Sequence, residues 1–337
     1  MIEKPDIRDE VIMTALNENY SIQTSRIEFL PIGNDATAFS YRVEARDGSS
    51  YFLKLKTNLS NLAALFVPRF LKDHDIEQVV APIQTRTDKL VEEIGGFALI
   101  LYPFISGNEA MKVGMSDEQW TEFGSVLKAI HLTGLPADIS RFVRREDFVP
   151  KWSRLALDLQ KQVDAGHFDD PYQKELAGFW KDNNETIQAV LERAELIGQN
   201  LQQADLEFVL CHADIHTANI LVTPDRELFI VDWDDALFAP KERDLMHVLE
   251  ENRIQTREEQ MFFAGYGNVE INQLALAYYR YEWCVQEIGD FGNRVFLTKD
   301  TGESTKQESV EGFIELFSKG DVIEKALRTP VGILNAE

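Results

Sequence analysis

The chain has 337 residues, 44% of them apolar and 27% charged, enough for a sizeable buried core and for two domains or lobes. Its net charge is −23, and residues 106–337 carry 42 acids against 23 bases. Such a field argues against nucleic acid and anionic membrane surfaces as partners and favours cationic ones.

Cys211 and Cys284 form no spaced metal or disulfide pattern, so a reduced, cytoplasmic location is expected. The opening MIEKPDIRDE lacks an apolar signal core, and the apolar run 97–105 is about half the length a membrane span needs. No membrane association is expected, and the chain is expected to be a monomer.

In chain order, apolar spacing at Ile7, Val11, Ile12 and Leu16 predicts an amphipathic helix over 7–20. Strand signals follow at 26–32, 38–45 and 50–56, with an Asp47-Gly48 hairpin turn between the last two. A helix is expected over 59–72, kinked or interrupted at Pro68. Strands are expected again at 79–84, 89–92 and 97–102. From Ser106 the pattern turns helical. Ser116-Asp117-Glu118-Gln119 reads as a capping box ahead of Trp120, Phe123, Leu127 and Ile130 on one face. Helical spacing continues over 150–163, 172–198, 241–252, 257–266, 271–289 and 307–327. The expected organisation is a β-rich lobe (1–102), a connector (103–107) and a helical lobe (108–337).

One stretch breaks the helical pattern, 208–235, FVLCHADIHTANILVTPDRELFIVDWDD. An apolar run enters a polar loop with His212, Asp214, His216 and Asn219. Two short apolar strands flank a turn at Pro224-Asp225, and the second ends on Asp232-Trp233-Asp234-Asp235. Carboxylates beside such apolar strands cost desolvation energy unless a metal, proton or strong donor meets them, which marks a site. His212-x-Asp214-x-x-x-x-Asn219, followed by Asp232, resembles the catalytic core of protein-kinase-like phosphotransferases. Phosphoryl transfer needs a carboxylate beside the attacking hydroxyl and Mg²⁺ across the phosphates, and Mg²⁺ takes hard oxygen ligands. A different reading makes His212, Asp214 and His216 the ligands of a metal-dependent hydrolase; it leaves Asn219, Asp232 and Lys54 without roles.

HADIHTANIL with VDWDD resembles the aminoglycoside phosphotransferase family. Alanines at 213 and 218, where that family commonly has glycine, imply ordinary backbone angles there. YFLKLK, YPFI, CHADIH, APKERDLM and YYRYE are similar to its spectinomycin-phosphorylating branch. The resemblance implies an α+β, protein-kinase-like bilobal fold with a small β-rich N-lobe and a larger helical C-lobe. It implies an ATP-dependent, Mg²⁺-using O-phosphotransferase acting on a hydroxyl of a cationic small molecule, such as an aminocyclitol antibiotic. A kinase of choline, a sugar or another metabolite shares the core residues, and a non-catalytic nucleotide-binding protein is a further alternative.

On this resemblance Asp214 is the catalytic base and Asn219 and Asp232 hold metal. Lys54, Gly33, Asn34 and the backbone of Pro103 and Ile105 meet the nucleotide. Asp234, Asp235, Glu282 and Glu287 are candidates for gripping the cationic acceptor, because charge-assisted hydrogen bonds outweigh neutral ones. Asp244 is expected to be structural. The family's helix glutamate that partners the strand lysine is missing, since no acid occurs between Lys54 and Lys72. Either Asn58, Ser60 or Asn61 substitutes, or Lys54 is held by a distant acid such as Asp232.

Overall fold

The computed structural model describes residues 4–32, 37–59, 61–249, 256–298 and 302–329. Its elements run α1 (Asp9–Tyr20), β1 (Thr24–Leu30), β2 (Ala38–Ala45), β3 (Ser50–Lys56), α2 (Ala63–Asp73), β4 (Glu92–Ile94) and β5 (Phe97–Pro103). There follow β6 (Asn108–Glu109), α3 (Ala110–Val113), α4 (Asp117–Leu132), α5 (Ala137–Ser140) and β7 (Arg144–Arg145). Three helices come next, α6 (Ser153–Ala165), α7 (Pro171–Asp182) and α8 (Asn184–Leu201). Short strands β8 (Val209–Cys211), β9 (Ile220–Val222), β10 (Leu228–Ile230) and β11 (Leu237–Ala239) precede α9 (Glu242–Leu245) and α10 (Arg257–Tyr266). The chain closes with α11 (Gln273–Phe296), α12 (Glu303–Glu315) and α13 (Val322–Arg328). Two compact units result: Met1–Arg145 with Val209–Phe238 and Thr256–Asn268, and Glu146–Phe208 with Ala239–Gln255 and Val269–Glu337.

In the first unit, five strands form an antiparallel sheet in the order β1-β2-β3-β5-β4. Alternation decides its two faces. Leu53, Leu55, Leu99 and Leu101 turn to one side and bury against Ile12 and Leu16 of α1, together with Tyr41 and Val43. Burial of each such leucine contributes about 2 kcal/mol. Lys54 and Lys56 therefore point to the opposite face, where Ile100 packs with Leu65 of α2. The helix runs through Pro68 without interruption, and the proline leaves it without one i−4 hydrogen bond. The predicted strand at 79–84 is not one. It is an extended segment whose Val80 N–H donates to the Ile230 carbonyl (3.0 Å) and whose Ile83 N–H donates to Leu101 (2.7 Å). Pro82 lacks the N–H that a continuous ladder requires.

The capping box is present: the Ser116 N–H donates to Gln119 Oε1 (2.8 Å), and the Gln119 N–H donates to Ser116 Oγ (3.3 Å). It starts α4, which buries Phe123, Leu127 and Ile130 and packs on α10. Two glycines permit that packing. A Cβ on Gly124 would lie 2.0 Å from the Phe262 carbonyl oxygen, and one on Gly265 would lie 1.8 Å from that of Thr121. The stretch 208–235 divides between two sheets. β9 and β10 form the hairpin and join β6, whereas β8 pairs instead with β11 in a sheet completed by β7.

The second unit is helical, and α11 packs against α8, α6, α12 and α13. The helix predicted over 172–198 is two, separated at Asn183, whose side-chain amide donates to the Phe179 carbonyl (2.9 Å) and competes with the helix ladder. The one predicted over 307–327 is also two, divided by a turn in which Gly320 takes φ +84°. Of the helix predicted over 241–252 a single turn, α9, forms; residues 250–252 lie outside the described residues.

Candidate active site

The site is built on the first unit. β8 delivers the chain into the loop 212–219, and a 3-10 turn over Thr217–Asn219 carries it to β9. His212 is fully buried and secures the loop: its Nε2 donates to the Val231 carbonyl (2.9 Å), and its Nδ1 accepts the Asp214 N–H (3.3 Å). Both ring nitrogens are thereby engaged, and His212 has none left for zinc. That removes the geometric basis for a hydrolase centre on His212, Asp214 and His216.

Asn219 bonds back to the same loop. Its Nδ2 donates to Asp214 Oδ2 (2.9 Å) and to the Asp214 carbonyl (2.8 Å). His216 Nε2 lies 3.5 Å from Asp214 Oδ1. The Val231 N–H donates to the Asn219 carbonyl (3.0 Å), which ties Asn219 to the strand end bearing Asp232. Asp214 and Asp232 stay accessible, with 44% and 49% of their side chains exposed.

Two backbone angles are unusual. Asp232 has φ +62°, and Ala213 has φ +73°. The ordinary geometry expected at 213 is thus not adopted: an L-residue occupies the left-handed region that glycine takes without steric cost. Ala218 sits in the 3-10 turn.

Lys54 reaches this strand end across the sequence. Its Nζ donates to Asp234 Oδ2 (2.9 Å) and to Asp232 Oδ1 (3.2 Å). Lys56 Nζ donates to the same Asp234 oxygen (2.8 Å), as two lysines on one face of β3 can. Burial disfavours the Lys54 ammonium, but the Asp232 and Asp234 carboxylates outweigh it and raise its pKa. Burial likewise opposes the Asp234 carboxylate, yet Lys54 and Lys56 hold its pKa down at about 2. Of the candidate partners for Lys54 among the described residues, the distant acids are the ones in contact; Ser60 lies outside the described residues. Asn61 instead donates to the Asp234 backbone carbonyl (2.6 Å).

A cavity of about 360 Å³ opens on this constellation. Its walls include Ala38, Ser40, Phe52, Lys54 and Tyr102 of the sheet, Ala64 of α2, the connector residues Pro103–Ile105, and Val231–Asp234. Pro103 and Ile105 both line it. Gly107 follows because a Cβ there would meet the Val222 carbonyl oxygen at 2.9 Å. Glu109 also lines the cavity and was missed in the sequence, where an isolated acid after the connector carries no signal. Gly33 and Asn34 lie outside the described residues.

The expected acceptor-binding acids differ in state. Asp234 is engaged by two lysines, and Asp235, 61% exposed, lies 3.7 Å from Arg144. In the second unit Glu282 forms a buried pair with Arg243 (2.9 Å), and Glu287 accepts from Trp283 Nε1 (3.1 Å). Asp244 in that unit is fully buried.

A strand lysine meeting a strand-end aspartate, beside a loop that presents a second aspartate, belongs to ATP-using phosphotransferases of the protein-kinase-like α+β fold. The chain is a member of the phosphotransferase enzyme family APH, whose profile matches residues 28–280. It is similar to the crystal structure of spectinomycin phosphotransferase, APH(9)-Ia, in complex with ADP and spectinomycin, at 31% identity and a TM-score of 0.87, covering 96% of this chain and 99% of that one. Protein StrN of Streptomyces griseus is 25% identical over 292 residues, 82% of each chain. An amicoumacin kinase, 18% identical with a TM-score of 0.63 over 97% of this chain and 96% of its own, shares the fold.

Proposed function

We propose that this phosphotransferase moves the γ-phosphoryl group of ATP to a hydroxyl of a cationic aminocyclitol such as spectinomycin. The observation that carries the reading is the meeting of Lys54 with Asp232, 178 residues apart in sequence, on the wall of a nucleotide-sized cavity. Similarity to a spectinomycin phosphotransferase over nearly the whole chain supports the acceptor class.

In this reading residues 1–102 act as the nucleotide-binding lobe and 103–107 as its connector. The Pro103 carbonyl and the Ile105 N–H meet adenine. Asp214 lies beside the acceptor hydroxyl and takes its proton as the oxygen attacks the γ-phosphorus and ADP departs. Asn219 holds the Asp214 carboxylate in place through Nδ2, which turns its Oδ1 away from that carboxylate. That amide oxygen and the Asp232 carboxylate are hard donors and fit Mg²⁺. Bound there, Mg²⁺ would neutralise charge across the β- and γ-phosphates. Asp235, exposed and next in sequence to the cavity-lining Asp234, is assigned to an amine of the acceptor. Among the described residues no helix is long and apolar enough to cross a membrane; a cytoplasmic location and a monomeric state are part of the proposal.

The test is ADP release by the purified protein with Mg²⁺-ATP against spectinomycin, other aminocyclitols and choline. Spectinomycin-dependent turnover is expected. Asp214→Asn should lower kcat by about 10²–10⁴, the usual contribution of a positioned base, while leaving ADP binding intact. Turnover with choline but not with aminocyclitols would overturn the acceptor assignment.

A further inference from the structure

We infer that Asp234, braced by Lys56 and Asn61, is the residue that positions the Lys54 ammonium for the nucleotide phosphates, in place of an acid on α2. This rests on the nucleotide reading above, in which Lys54 is the phosphate lysine. No acid occurs from residue 55 to 71, and the α2 residue lining the cavity beside Lys54 is Ala64. Lys54 nevertheless needs a fixed counter-charge, since its side chain is 16% exposed and an unpaired ammonium there is costly.

Two carboxylates meet it, and they are not equivalent. Asp232 is the longer contact at 3.2 Å, is 49% exposed, and is the acid assigned to metal. Asp234 is closer at 2.9 Å and 32% exposed, and it is not one of the residues assigned to metal. Its position is fixed at two points besides Lys54. Lys56, 11% exposed, holds the carboxylate oxygen at 2.8 Å. Asn61 Nδ2 holds the backbone carbonyl at 2.6 Å, and Asn61 Oδ1 accepts the N–H of Ala63, the first residue of α2, at 3.1 Å. The amide thus couples the start of α2 to Asp234, and Asp234 couples in turn to Lys54. When Asp232 turns to a metal, Asp234 still holds the lysine.

The same geometry takes Asp234 away from the acceptor. One of its oxygens already serves two ammoniums, and a cationic ligand brought there would be repelled by both.

The experiment measures ADP binding by calorimetry in the presence of Mg²⁺, together with KM for ATP, KM for spectinomycin and kcat. Asp234→Asn should weaken ADP binding about tenfold or more, as loss of a close charge pair on the phosphate lysine implies, and raise KM for ATP or lower kcat. The spectinomycin KM should stay within about twofold, because a change that small is under 0.5 kcal/mol. Asp234→Glu should restore part of the loss, and Asn61→Ala should reproduce it in weaker form. Those two variants carry the test if Asp234→Asn does not fold. Unchanged ADP binding with a raised spectinomycin KM would overturn the inference and return Asp234 to the acceptor. Failure of the unmodified protein to bind ADP would instead remove the nucleotide reading, and the inference with it.

Discussion

Ala213 concentrates the strain of the catalytic loop. Its φ of +73° is forced from both sides: His212 is pinned to Val231, and Asp214 is bonded to Asn219. The left-handed region costs a residue with a Cβ about 1–2 kcal/mol, and the surrounding bonds over-determine it. Ala213→Gly is therefore expected to stabilise the protein by about 1 kcal/mol, reduced somewhat by the added freedom of the unfolded chain. The urea midpoint measures this, and a clear loss of stability would show that alanine is not strained there. Asp232 shares the left-handed geometry at φ +62°, which turns its carboxylate out of the β10 direction toward Lys54. Its side chain tolerates that region better than alanine does.

Among the elements, the packing of α4 on α10 is set by the two glycines rather than by large side chains. Gly265→Ala would press a methyl group against the Thr121 backbone carbonyl, an atom that cannot rotate away. A loss of about 3 kcal/mol is expected, the upper end of overpacking penalties, read as a fall in denaturant midpoint with an unchanged slope. Gly178, on α7 with open space around it, is the control and should cost no more than alanine's helix propensity returns. In the second unit, the pair joining α9 to α11 is mostly shielded from solvent, with Arg243 15% and Glu282 13% exposed. Glu282→Gln removes the nearer counter-charge of the guanidinium, leaving it Glu146, and should destabilise by about 1–3 kcal/mol. A stable Glu282→Gln protein with a raised acceptor KM would instead restore Glu282 to ligand binding.

At the scale of the whole chain, charge governs behaviour. A net charge of −23 draws cationic acceptors, and ionic strength screens that attraction over about 8–10 Å. The KM for spectinomycin should rise as salt is increased, and a salt-independent KM would show that the field plays no part. Acid acts through Asp234. Its folded pKa, at about 2, lies below the ordinary carboxylate value of about 3.9, so its stabilisation is complete above that ordinary value and fades as pH falls toward 2. Wild type should therefore exceed Asp234→Asn in stability at pH 7, and the gap should close near pH 2. A gap that persists at pH 2 would mean that the aspartate stabilises by something other than its charge.

Local chemistry fixed what was legible in advance. Alternation in YFLKLK put both lysines on one face of β3, the Ser116–Gln119 box started α4, and the spacing of His212, Asp214, Asn219 and Asp232 marked the candidate site. Each of these depends on neighbours a few residues away, so sequence carries it. Pro82 denied 79–84 a ladder, and Asn183 and the Gly320 turn divided helices whose apolar spacing ran on unbroken. What remained was decided by tertiary structure. Which acid meets Lys54 depends on a contact spanning 180 residues. Whether Glu282 faces a ligand or an arginine depends on how α9 packs on α11. The left-handed turn at Ala213 exists because bonds from Val231 and Asn219 close on the loop. Periodicity and motif spacing report the chain's immediate surroundings. Partners, burial and strain are set when distant segments come together.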